Sequence, residues 1–380
     1  MELLSEEEAL LKSTVRGLVD QQIATRAAEY DESGQFPWEN IQKLSEMGLF
    51  GLTIDEEYGG SGGTTRQLAI AVEEIARGCA ATSVIYIAHL SLCTQFIQMF
   101  GTEKQKRRFV LPLARGEKIG AFALTEPGSG SDAGALRTTA TRADGHYLLN
   151  GSKLFITNAL EADIFVVLAS HDLSLRTKGI DALVVERGTP GLNINPQHGK
   201  MGMRASSTAE IVFENCPVSE ENRLGEEGDG FRETMQVLST SRVSIAAQCV
   251  GIAQAAYEAS VRYAKQREAF GHYLADFQAI QWMIADMATQ ITAARLLVLQ
   301  AATRRDKGLS FVTEASMAKL FASRVAVETT DRAVQVHGGT GYFAPTPVER
   351  YYRDAKVTEI YEGSSEVQRL IIARNILNPD

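Results

Sequence analysis

The chain has 380 residues, 44% hydrophobic and 22% charged, the balance of a folded chain with two or three domains rather than a disordered one. Its formal net charge of −9 speaks against a phosphate-backbone binder, so no nucleic-acid partner is expected. No uninterrupted apolar run reaches the ~18 residues of a membrane span, so no span is expected either.

Proline placement divides the chain. The first 111 residues hold one proline, Pro37, and none lies between Pro217 and Pro345. Both stretches can therefore carry long helices. The start is acidic and lacks the marks of a signal or transit peptide, which fits a cytoplasmic protein or a processed organellar matrix protein. Ser5-x-x-Glu8 reads as a capping box, followed by Leu10, Leu11, Val15, Leu18 and Val19 at helical spacing. Helices are expected over 67–77 and 84–99, with a glycine-rich loop over 58–63. The middle of the chain alternates instead. Strand composition recurs at 136–141, 153–157, 163–169, 180–186 and 209–214, punctuated by glycines, which predicts antiparallel strands in a β-sandwich or barrel. Helix returns after that. Ile280, Met283, Ile284, Met287 and Ile291 fall on one face. Two long antiparallel helices are expected over 231–301, turning at Phe270-Gly271, and two more over 310–337 and 364–377. The fold class is α+β and multidomain: an N-terminal helical domain (1–115), a middle antiparallel β-sandwich or barrel domain (116–225) and a C-terminal four-helix-bundle domain (226–380).

Few residues carry obvious chemistry. Cys79, Cys93, Cys216 and Cys249 are too scattered for metal ligation and read as reduced, mostly buried thiols, so no metal site is expected. Gly128-Ser129-Gly130-Ser131-Asp132-Ala133 fits G-x-G-x-x-G/A, but threonine-rich alternation follows it where a dinucleotide fingerprint needs a helix. It is either a plain turn or a loop that lets a ligand approach the backbone. His337-Gly338-Gly339 caps a helix or leaves backbone N–H groups bare for a phosphate. Tyr361-Glu362-Gly363-Ser364-Ser365-Glu366 is a helix start, or it turns Glu362 towards a ligand. His89 reads as a core histidine. Arg242 and Arg267 are candidate anion contacts.

Several segments match one family in order: 121–132 (AFALTEPGSGSD), 155–158 (FITN), 267–271 (REAFG) with Phe277-Gln278, 335–339 (QVHGG), 353–356 (RDAK) and 360–366 (IYEGSSE). Across essentially its whole length the chain resembles the acyl-CoA dehydrogenases, most closely the short-chain, butyryl-CoA type. The resemblance implies FAD as cofactor, a short-chain acyl-CoA substrate, an electron-transferring flavoprotein as electron partner and a homotetramer. It implies that Phe122, Leu124, Thr125, Gly130, Ser131, Phe155, Ile156 and Thr157 line the flavin ring. Arg267, Phe270, Gln278, Gln335, Val336, His337, Gly338 and Gly339 would hold the adenosine and pyrophosphate of a neighbouring subunit's FAD, and Ser364 and Glu366 would also touch FAD. Ser131, Arg242, Tyr361 and Gly363 would meet the substrate. The catalytic base matches Glu362. One branch of the family carries its base at the position of Ser241, where serine cannot serve as a carboxylate. Many members have tryptophan at the position of Phe155. The same site run in reverse, as an enoyl-CoA reductase in an electron-bifurcating complex, and a carboxylated or cyclic acyl-CoA substrate are alternatives. A catalytically silent scaffold is disfavoured because Glu362 and the flavin segments are retained. Tyr86, Ile87, His89 and Leu90 are expected to fill the end of the acyl pocket and to favour chains of roughly four to six carbons.

Overall fold

A computed structural model describes residues 4–378, with helices at both ends of the chain and strands between. Residues 1–3 and 379–380, the outer limits of the first and last expected domains, lie outside the described residues. Helix α1 (Glu6–Leu18) begins at the expected capping box, Glu8 N–H donating to Ser5 Oγ and Ser5 N–H to Glu8 Oε2. α2 (Ala27–Ser33), α3 (Trp38–Glu46) and α4 (Thr65–Gly78) follow. α5 (Ala80–Phe100) is buried from Ala80 to Ile97 and contains a π-helical turn at Ala88–Thr94. Short helical turns over 103–114 lead into the strands.

The sheet has eight strands: β1 (Gly120–Ala123), β2 (Thr139–Ala143), β3 (His146–Thr157), β4 (Ile164–Ser170), β5 (Ile180–Glu186), β6 (Leu192–Pro196), β7 (Thr208–Ser219) and β8 (Arg223–Leu224). Its order is β6-β7-β3-β2-β4-β5-β8, with β1 on β4. Most pairings are antiparallel, as the short, glycine-punctuated strands lead one to expect. β1 and β2, however, pair with β4 in parallel, so the sheet is mixed.

Five helices follow rather than four: α6 (Gly230–Gln266), α7 (Gln278–Asp306), α8 (Val312–His337), α9 (Pro347–Lys356) and α10 (Ser365–Leu377). Between α6 and α7 the two-residue strands β9 (Glu268–Ala269) and β10 (His272–Tyr273) form a hairpin. α9 starts with Pro347 inside its first turn, where a missing N–H costs nothing. α4 and α6 meet closely at Gly251, where a Cβ would collide with the Glu73 carbonyl. By length and composition two helices, α5 and α7, could cross a membrane, against the sequence expectation. α5 is enclosed by protein up to its last turn, which is the position of a core helix. α7 packs one side on α6 and α8 and leaves Trp282 and Leu296 exposed.

One hydrophobic core runs through all three regions. Its seam fixes the site. The π-turn of α5 packs on β1, with the Phe96 and Phe122 rings 5.9 Å apart, and reaches α6 through a buried Ser91–Ser244 hydroxyl contact at 3.0 Å.

Candidate active site

The Glu362 turn sits between mid-α6, mid-α8 and the start of α10. Glu362 (φ 50°) and Gly363 (φ 93°) are both left-handed, and a glutamate in that region is strained. The surroundings hold it there. Lys319 Nζ on α8 donates to the Gly363 carbonyl at 2.7 Å. Gln368 Nε2 on α10 donates to the same carbonyl at 2.9 Å and to that of Glu362 at 3.3 Å. Tyr361 donates its hydroxyl to Gln248 Oε1 on α6, and Gln248 Nε2 in turn donates to Ser83 Oγ on α5. Ser364 caps α10, accepting from Val367 N–H.

The turn leaves polar atoms unmatched on its inner side. Glu362 Oε2, Ser241 Oγ, Arg242 Nε and Gln368 Oε1 are sealed from solvent and have no hydrogen-bond partner. No described residue accepts from the Glu362 N–H. Glu362 is partly exposed as a residue, yet its carboxyl faces inward. Burial pushes that carboxyl up to about 7, against the pull of the Ser241 hydroxyl, Lys319 and Arg242. Arg242 is buried with no carboxylate in contact, and only Ser239 Oγ, at 3.4 Å, receives from it. Ser241, Ser244 and Gln248 fall at i, i+3 and i+7, one face of α6 turned to the turn and to α5. Such unmatched groups are costly unless a ligand meets them.

The segment expected against the flavin follows β1. Phe122 is buried, Leu124 and Thr125 are half-buried, and Gly130 and Ser131 are exposed. A buried ion pair beneath it joins Lys153 Nζ to Glu126 Oε1 at 2.7 Å, and Lys153 also donates to the Leu124 carbonyl. Burial alone would raise Glu126. Lys153 and the N–H groups of Arg137 and Thr138 outweigh it and keep the carboxyl ionised. Lys153 anchors β3 where Phe155 (φ 59°) turns outward, 64% exposed, with Ile156 buried and Thr157 half-buried beside it. No atom would meet a Cβ at Gly128 or Gly130, so this backbone lies open to a ligand.

The remaining segments gather at the far end of the helical bundle. Arg267, Phe270, Gln278, Gln335, Gly338 and Gly339 are exposed there, Phe270 at 94%. Tyr263 stacks on His337 with centroids 4.2 Å apart, which ties the ends of α6 and α8 together. His337 and Val336 are buried, and His337 Nδ1 bonds the Ala333 carbonyl, so these two side chains belong to the bundle. A Cβ at Gly338 or Gly339 would meet nothing. Open glycine backbone, a bare aromatic ring and an arginine suit the two ends of a flavin dinucleotide, and the residues present fit FAD. Arg267 follows the last turn of α6, 25 positions and about 37 Å along the helix axis from Arg242.

Two sequence expectations change. Tyr86 and His89 point away from α6. Tyr86 donates to the Leu49 carbonyl, and His89 bonds the Leu113 carbonyl and the Gly120 N–H while packing on Phe50. Both are core residues, as His89 was expected to be. Lys319, absent from the sequence reading, joins the site. An isolated lysine between alanine and leucine gives no sign that it points inward.

Three family models match in chain order: the acyl-CoA dehydrogenase N-terminal domain over residues 5–117, the middle domain over 121–216 and the C-terminal domain over 228–377. A short-chain-specific acyl-CoA dehydrogenase of Clostridium acetobutylicum is 47% identical over 373 residues, 98% of each chain. An acryloyl-CoA reductase (NADH) of Anaerotignum propionicum is 44% identical, covering 98% of this chain and 95% of its own. The solved butyryl-CoA dehydrogenase of Megasphaera elsdenii has a TM-score of 0.97 at 43% identity, over 99% of each chain. With three domains matched in order and an inward carboxylate at their junction, the chain belongs to the acyl-CoA dehydrogenase family.

Proposed function

We propose that this FAD-dependent acyl-CoA dehydrogenase oxidises short acyl-CoA thioesters, with Glu362 as the base that removes the α-proton. The observation that carries the reading is the inward Glu362 carboxyl, raised to about 7 by burial and without a partner at Oε2. The α-proton of a thioester is weakly acidic, so the base must be ionised near neutral pH and still basic enough to accept it. Glu362 takes that proton at its carboxylate. The unpaired Glu362 N–H is placed to donate to the thioester oxygen, where negative charge grows as the proton leaves. Arg242, buried and without a carboxylate partner, orients the substrate through its free Nε. When bound, FAD supplies the acceptor for the hydride that leaves the β-carbon.

Its ring would be held by Phe122, Leu124, Thr125, Gly130, Ser131, Phe155, Ile156 and Thr157, and its dinucleotide end by Arg267, Phe270, Gln278 and 335–339. The ring-end residues lie on β1, β3 and the loop between strands, and the dinucleotide-end residues at the ends of α6, α7 and α8, and we infer that a second copy of the chain completes the site. A homotetramer with an electron-transferring flavoprotein as acceptor is the assembly we infer. Short acyl chains fit the Ser91–Ser244 contact, which brings α5 and α6 together one helical turn beyond Ser241. The likeness to an acryloyl-CoA reductase favours a second reading, with the same residues run in reverse and protonated Glu362 returning its proton to the α-carbon.

Anaerobic titration of the holoenzyme with butyryl-CoA and octanoyl-CoA tests the reading. Butyryl-CoA should bleach the flavin faster. Equal or faster bleaching by octanoyl-CoA would overturn the short-chain assignment, and no bleaching by either would overturn the direction.

A further inference from the structure

Lys319 is fully buried on α8, and its ammonium makes no salt bridge with any described residue. An unpaired buried ammonium is costly, and methionine would fill the same space without that cost. Its single hydrogen bond goes to the Gly363 carbonyl, which already accepts from Gln368. The second donor is not needed to satisfy that oxygen. What it adds is a positive charge against the back of the strained Glu362–Gly363 turn.

The charged and titratable groups around this lysine come from every element packed on it. α6 presents Cys249 and Arg242, the turn presents Glu359 and Glu362, and Glu366 opens α10. Glu362 has two cations facing it, Lys319 and Arg242. Arg242 Nε is buried without a partner, whereas Lys319 is already fixed on the turn by its bond to the Gly363 carbonyl.

We propose that Lys319 is a positioning residue for the base: its ammonium pins the Glu362–Gly363 turn, and its charge keeps the Glu362 carboxyl ionisable in a water-poor pocket. The proposal rests on the reading of Glu362 as base. Burial brings Lys319 down to about 8, above the value of about 7 for Glu362, so the ammonium carries its proton as Glu362 begins to ionise. A fixed charge nearby in a medium of low dielectric then offsets part of the desolvation that raises the carboxyl.

Three variants separate the pin from the charge. Lys319→Gln keeps a donor without charge, Lys319→Met keeps neither, and Lys319→Arg keeps both. The readouts are the pH midpoint of anaerobic flavin bleaching by butyryl-CoA, the infrared titration of the Glu362 carboxyl, FAD content and Tm. Lys319→Gln and Lys319→Met should move both midpoints upward by about one pH unit. Lys319→Met should in addition lose about tenfold in maximal rate, because the turn loses its second tether. Lys319→Arg should restore the wild-type midpoint. Midpoints unchanged in the Gln and Met variants, with rate falling only in step with FAD content or Tm, would show a structural lysine and overturn the proposal. Glu362→Gln, measured alongside, separates the two failures: if it bleaches normally the base reading falls and takes this proposal with it. If it is silent while the Lys319→Gln midpoint stays put, the proposal alone falls.

Discussion

The two ends of the helical bundle are built in opposite ways. Around Glu362 the chain spends buried polar side chains on one turn: Lys319, Gln368 and the Tyr361–Gln248 pair restrain a backbone that a glutamate would not otherwise adopt. At the far end, Arg267, Phe270, Gln335, Gly338 and Gly339 stand open, and a Cβ at Gly338 or Gly339 would meet nothing. One region is preorganised within a single chain, so that little reorganisation is left for the moment of proton transfer. The other is an exposed surface, which the proposed function assigns to the dinucleotide. The lesson is that acid–base geometry in this chain is independent of cofactor anchoring, and the two should fail separately.

Four outcomes test that separation, the largest first. Glu362→Gln should slow flavin bleaching by butyryl-CoA about 10³-fold while FAD stays bound, since the far end is untouched. A loss of FAD in step with rate would mean the two regions are one unit. Lys153→Met leaves Glu126 buried without its cation and should lower stability by about 3–5 kcal/mol in denaturant unfolding. Adding Glu126→Gln should recover part of that loss, because the uncompensated charge is gone. If Lys153→Met is neutral, the pair does not anchor the Phe155 segment. Arg267→Ala with Gln335→Ala should weaken FAD binding about 10²-fold, at one to two kcal/mol or more for each lost contact to a charged ligand. Full FAD occupancy in a dilute monomer would contradict the shared site. The smallest effect concerns packing: Ser244→Gly should open the α5–α6 contact and raise octanoyl-CoA turnover relative to butyryl-CoA by several-fold, within the ~1–3 kcal/mol that a methylene is worth in an apolar pocket. An unchanged ratio would remove the Ser91–Ser244 contact from the account of chain length.

Much of this arrangement was legible in the residues. The absence of proline marked both helical regions, and Ser5-x-x-Glu8 marked the first helix start. The inward Glu362 was identified through its neighbours Tyr361 and Gly363, because a family motif carries information that propensity does not. Other features were hidden for physical reasons. The Pro345 and Pro347 pair reads as a break, yet proline is at home in a first helical turn, and α9 begins there. Side-chain direction on α5 could not be read, because Ala80 to Ile97 are all buried and apolar periodicity marks no outer face; Tyr86 and His89, at i and i+3, both pack on Phe50. β1 is only four residues long, and its parallel pairing with β4 is a tertiary fact. Lys319 looked like an ordinary helix-surface lysine, and only packing turned it inward.

The central claim is that burial, opposed by the Lys319 and Arg242 cations, sets the Glu362 carboxyl close to neutrality. A carboxyl raised to about 7 is protonated and inactive below that pH and ionised above it. Stopped-flow anaerobic bleaching of the wild-type holoenzyme by butyryl-CoA, followed from pH 5 to pH 9, tests this most directly. The account predicts a rate that climbs with an ionisation near pH 7. A rate that is flat across the range, or that climbs near the ordinary carboxylate value of about 4.3, would contradict it.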